Sequence, residues 1–282
     1  MLRLGIVAHP KKSKSKAVTR KILKEAKGIK GLDIVLSEAT AGLIDSKEID
    51  VKPLNQIRTD AIMCIGGDGT ILRVLRESDC PVIGINAGSL GFLTEVQPED
   101  TKDALLRIHN GRYTIEERTK ICPVLNGKKL DEVTNEVVLT TEIPSKIQNY
   151  HLNINMVTSE RIRADGILIS TPTGSTGYAM SAGGSIMEPR LEAFQIVPIA
   201  PFMMNMRPYI IPDSYVIAIR LAGKTDKGVL VLDGSIVKKI EKGDDILITK
   251  ARRRAKFIKF DTPFYQKYKE KIARMNTDKN YD

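Results

Sequence analysis

The run Gly66-Gly67-Asp68-Gly69-Thr70 sets a carboxylate inside a turn that is otherwise suited to holding an anion. An apolar stretch, residues 61–65, leads into it, and a helical pattern over 70–77 leads out. Glycines at 66, 67 and 69 let the chain turn sharply and let a ligand approach without a Cβ in the way. The amides of such a turn and of the helix start form a phosphate cradle, so Gly66, Gly67, Gly69 and Thr70 are the candidate donor-phosphate loop. Thr70 is expected to cap the helix. Asp68 is the anomaly, because a carboxylate in a phosphate cradle repels its ligand. A base aimed at a sugar hydroxyl, beside the phosphoryl group being moved, would justify it. The competing reading is a tight strand-to-helix turn in which Asp68 only caps.

Two further loops carry polar groups in useful patterns. Asn86-Ala87-Gly88-Ser89-Leu90-Gly91-Phe92-Leu93 follows a strand-like run and puts a second glycine-bearing loop at the same sheet edge, although Phe92 and Leu93 also read as plain core. Asp165-Gly166 opens an apolar strand that ends in Thr171-Pro172-Thr173-Gly174-Ser175-Thr176-Gly177-Tyr178, followed by Ser181-Ala182-Gly183-Gly184. That loop offers many hydrogen bonds and little bulk, as a flat adenine and its ribose require. A Ser/Thr-rich hairpin connection is the plainer alternative. Two rival phosphate motifs fail. The first strand is followed by Ala8-His9-Pro10-Lys11-Lys12 and not by a Gly-x-Gly-x-x-Gly fingerprint. Gly223-Lys224-Thr225 ends like a P-loop, but Ala218 stands where its first glycine belongs, so it reads as a turn.

The elements that must position these loops follow from periodicity. Residues 4–8, 33–36, 61–65 and 82–86 read as strands. Residues 15–27, 70–77 and 101–109 read as helices, the last closed by Gly111. Alternation of this kind implies a parallel sheet with crossover helices. After about residue 112 the pattern changes to short β-rich runs at 133–141, 151–157, 166–170, 195–199, 215–221, 229–232 and 245–248. Turn residues separate them: Asn126-Gly127, Pro144-Ser145, Gly183-Gly184, Pro212-Asp213, Asp233-Gly234 and Lys242-Gly243-Asp244. This is the signature of an antiparallel sandwich or a related all-β domain. Residues 263–275 read as a final helix, and 276–282 as a polar, frayed tail.

Bulk properties narrow the field. A chain of 282 residues suits two domains at roughly 150 residues each. No apolar stretch approaches the roughly 18 residues of a membrane span, and the first residues read as a strand with no signal-peptide pattern, so a cytoplasmic protein is expected. The three cysteines, Cys64, Cys80 and Cys122, are widely spaced and point to buried thiols, not a disulfide framework. His9, His109 and His151 are scattered too, so no protein-held metal site is expected. A net charge of +10 attracts polyanions of every kind. The clusters at 11–16 and 252–254 read first as solvated faces. With no tryptophan and 5% aromatics, the chain carries no stacking platform, and nucleic acid is not an expected partner.

Taken together, these landmarks resemble the NAD kinase family. The resemblance rests on Gly-Gly-Asp-Gly-Thr at 66–70, Asn-x-Gly-x-Leu-Gly-Phe-Leu at 86–93, Asn135-Glu136, the long motif from Asp165 to Gly184, and Asp233-Gly234. They fall in family order over roughly residues 60–235. The first motif is shared with lipid kinases and phosphofructokinases; the Thr-Pro-Thr-Gly-Ser-Thr segment combined with Asn-Glu is far more specific. The resemblance implies a Rossmann-like parallel α/β domain, residues 1–111 plus about 258–282, joined to a β-sandwich domain, 112–257, with the last helix returning to the first domain. It implies transfer of the γ-phosphate of ATP, or of polyphosphate, to the adenosine 2′-hydroxyl of NAD, with Mg²⁺ or another divalent cation carried mainly by the nucleotide phosphates. Asp68 matches the residue that meets the ribose hydroxyl as base. Gly69, Phe92, Asn135, Glu136, Arg163, Asp165, Thr173, Thr176, Gly177, Tyr178 and Ser181 match positions that contact NAD. A homodimer or homotetramer is usual in the family. Two departures stand out: Gly177 replaces a frequent alanine, and Pro201-Phe202-Met203-Met204 replaces Pro-His-Ser-Leu, which removes a histidine. The rival readings are a diacylglycerol or sphingosine kinase, a non-catalytic dinucleotide sensor, and a basic nucleic-acid-associated factor.

Overall fold

Strand Ala61–Gly66, which feeds the glycine turn, is buried along its whole length. A near-continuous apolar strand of this kind belongs at the centre of a parallel sheet covered on both faces. The computed structural model of the chain describes residues 1–44, 49–88, 91–143, 146–203, 206–223, 227–260 and 263–277. Of the features anticipated above, Pro144-Ser145, Ser89, Leu90, Met204, Lys224, Thr225 and the tail from 278 lie outside these residues. The chain divides into two compact units, Met1–Glu117 with Ala255–Asp282, and Arg118–Arg254.

The first unit holds an eight-stranded sheet in the order Asp50–Lys52, Leu32–Ser37, Leu2–Ala8, Ala61–Gly66, Val82–Asn86, Ala255–Lys259, Thr114–Arg118, with Thr94–Val96 also paired to Val82–Asn86. The pairings from Asp50–Lys52 through to Ala255–Lys259 are parallel. Successive side chains on a strand face opposite sides, so each strand serves two cores. Leu4, Ile6, Met63, Ile65, Ile83 and Ile85 pack with Val18 and Ile22 of helix Ser13–Ala26 and with Ala104, Leu105 and Ile108 of helix Thr101–His109. Val7, Ile62, Cys64 and Val82 face the other way, against Ile71, Val74 and Leu75 of helix Asp68–Glu77. The doubly wound, Rossmann-like fold thus follows from apolar strands flanked by helices with one apolar stripe each. The final helix, Phe264–Thr277, belongs to this unit.

The second unit is built from two six-stranded sheets. One runs Tyr209–Pro212, Ala193–Ile199, Gly166–Ser170, Glu136–Thr141, Lys227–Leu232, Ser235–Glu241; the other runs Thr158–Ala164, Gln148–Ile154, Ile217–Leu221, Ile246–Lys250, Ile121–Leu125, Lys128–Lys129. All these pairings are antiparallel. Ile167, Ile169, Phe194, Ile196 and Leu230 of the first sheet share one core with Tyr150, Leu152, Ile162, Ile219 and Ile248 of the second. This is a β-sandwich. The Asn126-Gly127 and Asp233-Gly234 turns both take positive φ, at 49° and 77° and at 44° and 75°, the mirror-image turn geometry that matches hairpin twist.

Several elements depart from the periodicity reading. Thr158–Ala164 and Ser235–Glu241 lie at sheet edges and carry Glu160, Arg161 and Arg163, or Lys238, Lys239 and Glu241. Charge on an edge strand blocks pairing with other chains and hides the alternation. Residues 155–157, expected to extend a strand, instead reverse the chain, with Asn155 and Met156 at φ 51° and 58°. Thr70 does not cap its helix, which begins two residues earlier at Asp68 with Gly67 as an extended N-cap. Phe194 lies wholly within the sandwich core. Phe194→Ala is therefore expected to lower unfolding free energy by about 3–5 kcal/mol, read from urea melts.

Candidate active site

In the first unit the chain builds outward from Leu2–Ala8 to Leu32–Ser37 and Asp50–Lys52, then resumes on the other side of Leu2–Ala8 with Ala61–Gly66. The loops leaving Leu2–Ala8 and Ala61–Gly66 therefore diverge at a topological switch point, where parallel sheets open a crevice at their carboxyl ends. A cleft of about 510 Å³ lies there, lined by His9, Pro10, Lys11, Lys12, Gly67, Gly69, Thr70 and Arg73. Burial, with Lys12, Arg73 and Lys11 close by, holds the His9 imidazole below its usual pKa, which marks the crevice as electropositive. Lys12 presses against the second glycine loop so closely that a Cβ at Gly88 would lie 2.4 Å from its Nζ.

Asp68 does not cap its own helix. Its carboxylate accepts the backbone N–H of Phe92 at 2.8 Å and of Leu93 at 3.0 Å. The two glycine-bearing loops are thereby locked together, and Gly91 is required where they meet, since a Cβ there would lie 2.1 Å from Asp68 Oδ1. Two amides occupy only part of a carboxylate's acceptor capacity, which leaves lone pairs for a ligand hydroxyl. Thr70 Oγ1 is buried with no hydrogen-bond partner, and Gly66 must lack a side chain because a Cβ would sit 2.4 Å from that oxygen. Phe92 stacks on Tyr268 of the last helix, with ring centroids 6.1 Å apart.

The second unit gathers a different set. Asp233, at its hairpin turn, accepts the N–H groups of Thr134, Asn135 and Glu136 at 3.0, 2.8 and 3.2 Å. The other side of this segment is held by Thr171, whose N–H reaches Asn135 O at 2.9 Å and whose hydroxyl reaches Thr134 O at 2.6 Å. The same hydroxyl accepts Gly174 N–H at 3.1 Å. Gly174 has no room for a Cβ, which would lie 2.4 Å from Asn135 O. Thr173–Thr176 forms a single 3-10 turn, and a Cβ at Gly177 would meet Glu136 Oε2 at 3.5 Å and Asn135 Nδ2 at 3.6 Å. Asn135 and Glu136 are thus fixed from both sides.

What distinguishes this cluster is incompleteness. Thr134 Oγ1, Asn135 Oδ1, Glu136 Oε2 and Thr173 Oγ1 are all buried without hydrogen-bond partners. Leaving a buried polar atom unpaired costs roughly 1–3 kcal/mol, so four in one place point to a ligand that supplies donors. Burial, reinforced by the negative charge of Asp233, pushes the Glu136 carboxyl up to about 7.

Of the residues singled out from sequence, Asn135, Glu136, Thr173, Thr176 and Gly177 converge here, and Asp68, Gly69 and Phe92 converge in the first unit. Arg163 stands on an edge strand with its guanidinium 4.4 Å from the ring centroid of Phe202. Asp165 contributes backbone: its carbonyl accepts Thr141 N–H at 2.9 Å and the Tyr150 hydroxyl at 3.1 Å. Tyr178 and Ser181 are exposed on the turn that follows. Sequence reasoning missed His9, Lys12 and Arg73 as crevice residues. From sequence the basic cluster reads as a solvated face, and only its position after the first strand signals otherwise.

A doubly wound nucleotide-type crevice in one unit and a sandwich carrying unpaired buried acceptors in the other define a phosphotransferase architecture. Residues 4–113 match the model of the ATP-NAD kinase N-terminal domain, and residues 134–260 that of the ATP-NAD kinase C-terminal domain. The chain is 40% identical to the NAD kinase of Thermococcus kodakarensis, covering 96% of this chain and 99% of that one. It is 37% identical to the NAD kinase of Methanothermobacter thermautotrophicus, covering 99% of each. Among solved structures it resembles an NAD kinase from Archaeoglobus fulgidus in complex with ATP, with a TM-score of 0.77 and 28% identity over 96% of this chain and 99% of that one. The fold also matches yeast NADH kinase complexed with NADH, with a TM-score of 0.88 and 23% identity over 100% of this chain and 89% of that one. The chain belongs to the NAD kinase family.

The raised Glu136 pKa has a stability consequence. Its carboxyl binds a proton more tightly folded than unfolded, so its contribution is fully present below the ordinary value of 4.5 and is lost as pH rises towards 7. Glu136→Gln is expected to stabilise the ligand-free protein at pH 8, by on the order of 2–3 kcal/mol, with the gain shrinking at pH 5. Urea melts at the two pH values measure it; an equal gain at both would rule out a buried carboxylate as the cause.

Proposed function

We propose that the protein transfers the γ-phosphate of ATP to the 2′-hydroxyl of the adenosine ribose of NAD, giving NADP and ADP. The observation that carries this reading is the Asp68 carboxylate, fixed by the amides of Phe92 and Leu93, with acceptor capacity left over. Asp68 accepts a hydrogen bond from the 2′-hydroxyl and orients its oxygen for in-line attack on the γ-phosphorus. As the new O–P bond forms, the bond to the bridging oxygen breaks, ADP leaves, and the hydroxyl proton passes to Asp68. Phosphoryl transfer usually has a loose transition state, so orientation matters more here than basicity.

The turn formed by Gly66, Gly67, Gly69 and Thr70, with Lys12 and Arg73 in the same crevice, supplies positive potential for the donor phosphates. Polyphosphate presents the same chemistry and is included as a possible donor. Mg²⁺ or another divalent cation would be carried mainly by the nucleotide phosphates. When bound there, it would neutralise phosphate charge.

NAD is assigned to Gly69 and Phe92 in the first unit. In the second it is assigned to Asn135, Glu136, Arg163, Asp165, Thr173, Thr176, Gly177, Tyr178 and Ser181. The unpaired Asn135 Oδ1 and Glu136 Oε2 suit ribose hydroxyl donors, and the small residues around Gly174 suit a flat base. A lipid kinase would instead need an apolar acyl pocket, and the 170–178 loop is rich in hydroxyls.

The direct test is an NADP-forming assay with ATP, GTP and polyphosphate as donors, and no product from any of them would end this reading. Asp68→Asn should cut kcat by roughly 10²- to 10⁴-fold while NAD still binds. A near-normal kcat would remove Asp68 from the chemistry. Glu136→Ala should raise KM for NAD by roughly tenfold to a hundredfold, the worth of a charge-assisted hydrogen bond, and an unchanged KM would discredit that placement.

A further inference from the structure

The last helix, Phe264–Thr277, brings one buried cation to the Asp68 region. Lys271 is 9% exposed, a rare state for lysine unless it has work for its charge. Its ammonium donates to the Thr94 carbonyl at 3.3 Å and lies 5.6 Å from the Phe92 ring centroid. The strand residue Thr94 and the aromatic Phe92 bracket Leu93, and the amides of Phe92 and Leu93 are the ones that fix Asp68. Lys271 also feels the Asp68 charge directly.

The helix that carries Lys271 is itself anchored. Glu95, with a side chain 3% exposed, accepts Lys259 Nζ at 2.9 Å and is also bonded to Lys267, one turn before Lys271. Glu95 is therefore already matched by two lysines. Asp68 is the remaining nearby carboxylate acting on Lys271.

We propose that Lys271 is a positioning residue for Asp68: its buried ammonium holds the segment from Phe92 to Thr94 in the conformation whose amides grip the carboxylate, and supplies a counter-charge beside it. The proposal rests on the reading of Asp68 given above. It assigns the terminal helix a task in turnover beyond packing, since a neutral or shortened side chain at 271 would release the loop while leaving the sheet and the Glu95 anchor intact.

The charge is conditional. Burial, together with the neighbouring ammoniums of Lys259 and Lys267, lowers Lys271 to about 8, against the opposing pull of Asp68 and Glu95. Loss of the proton above that pH removes the counter-charge, so kcat should fall on the alkaline side with a midpoint near 8.

The test compares full-length wild type, Lys271→Met and Lys271→Arg in steady-state kinetics from pH 6 to 10, with thermal melts to confirm folding. Lys271→Met should lose between about tenfold and a hundredfold in kcat at pH 7, the scale of a modest misplacement, with KM for NAD little changed and the alkaline limb gone. Lys271→Arg, which cannot deprotonate in this range, should recover part of kcat and keep it beyond pH 9. An alkaline limb that survives unchanged in both variants, or a Met variant with wild-type kcat, overturns the proposal. If the Met variant does not fold, the Arg variant and the wild-type profile decide alone: an Arg profile that still falls near pH 8 overturns it. A fully active Asp68→Asn would instead sink the underlying reading, whereas an inactive Asp68→Asn beside an unperturbed Lys271→Met sinks only this inference.

Discussion

Carboxylates gripping runs of backbone amide are the constraint on which both halves of this molecule depend. Asp233 takes three consecutive N–H groups from residues 134–136, and Asp68 takes two from Phe92 and Leu93. A charged acceptor makes such bonds stronger than neutral pairs do, and several amides aimed at one carboxylate fix a loop without any apolar packing. Polar loops can therefore be held still at the ends of strands, alongside whatever apolar packing they also make, such as that of Leu93 with Ile71 and Val74. The glycines at 91 and 174 follow from the same requirement, since each backbone passes against an oxygen at a distance no Cβ could share.

Rigidity of this kind permits incompleteness. Thr134, Asn135, Glu136 and Thr173 keep buried oxygens without partners because the loops cannot relax to satisfy them. The ligand-free protein carries that as a loss of stability, and the elevated Glu136 pKa is its electrostatic expression. A site prepared in advance spends less binding free energy on ordering itself. The first unit follows the same logic with cations: Lys11, Lys12 and Arg73 share a crevice with His9, and burial together with these cations lowers the imidazole pKa.

Much of this was legible in the residues, for identifiable reasons. Strand Val82–Asn86 and helix Thr101–His109 were bounded correctly because their apolar periods begin and end at turn residues. The 171–177 loop stands out in the residues themselves because hydroxyls and glycines in such density have few structural uses, whereas Asn135-Glu136 stands out only through the family resemblance. Strands Thr158–Ala164 and Ser235–Glu241 were not found, because edge strands carry charge where a pattern search looks for alternation. The role of Asp233 was also hidden. An Asp-Gly pair marks a hairpin, and only the fold brings that turn against a segment about a hundred residues earlier. Lys12 and Lys271 were invisible for the same reason: lysines are common on surfaces, and burial is a tertiary fact.

The strand Ala255–Lys259 joins Val82–Asn86 in a sheet that otherwise comes from the first 118 residues. Residues 118–254 are thus one uninterrupted stretch, while the α/β unit is split between the two ends of the chain. During synthesis the sandwich can complete itself before its host does, and the parallel sheet must wait with an open flank beside Val82–Asn86 until residues 255–259 leave the ribosome. The order of emergence therefore leaves the Asp68 loop without the strand Ala255–Lys259 and the helix Phe264–Thr277 until those residues are made, so a chain stopped before them would have a finished sandwich and an unfinished α/β unit.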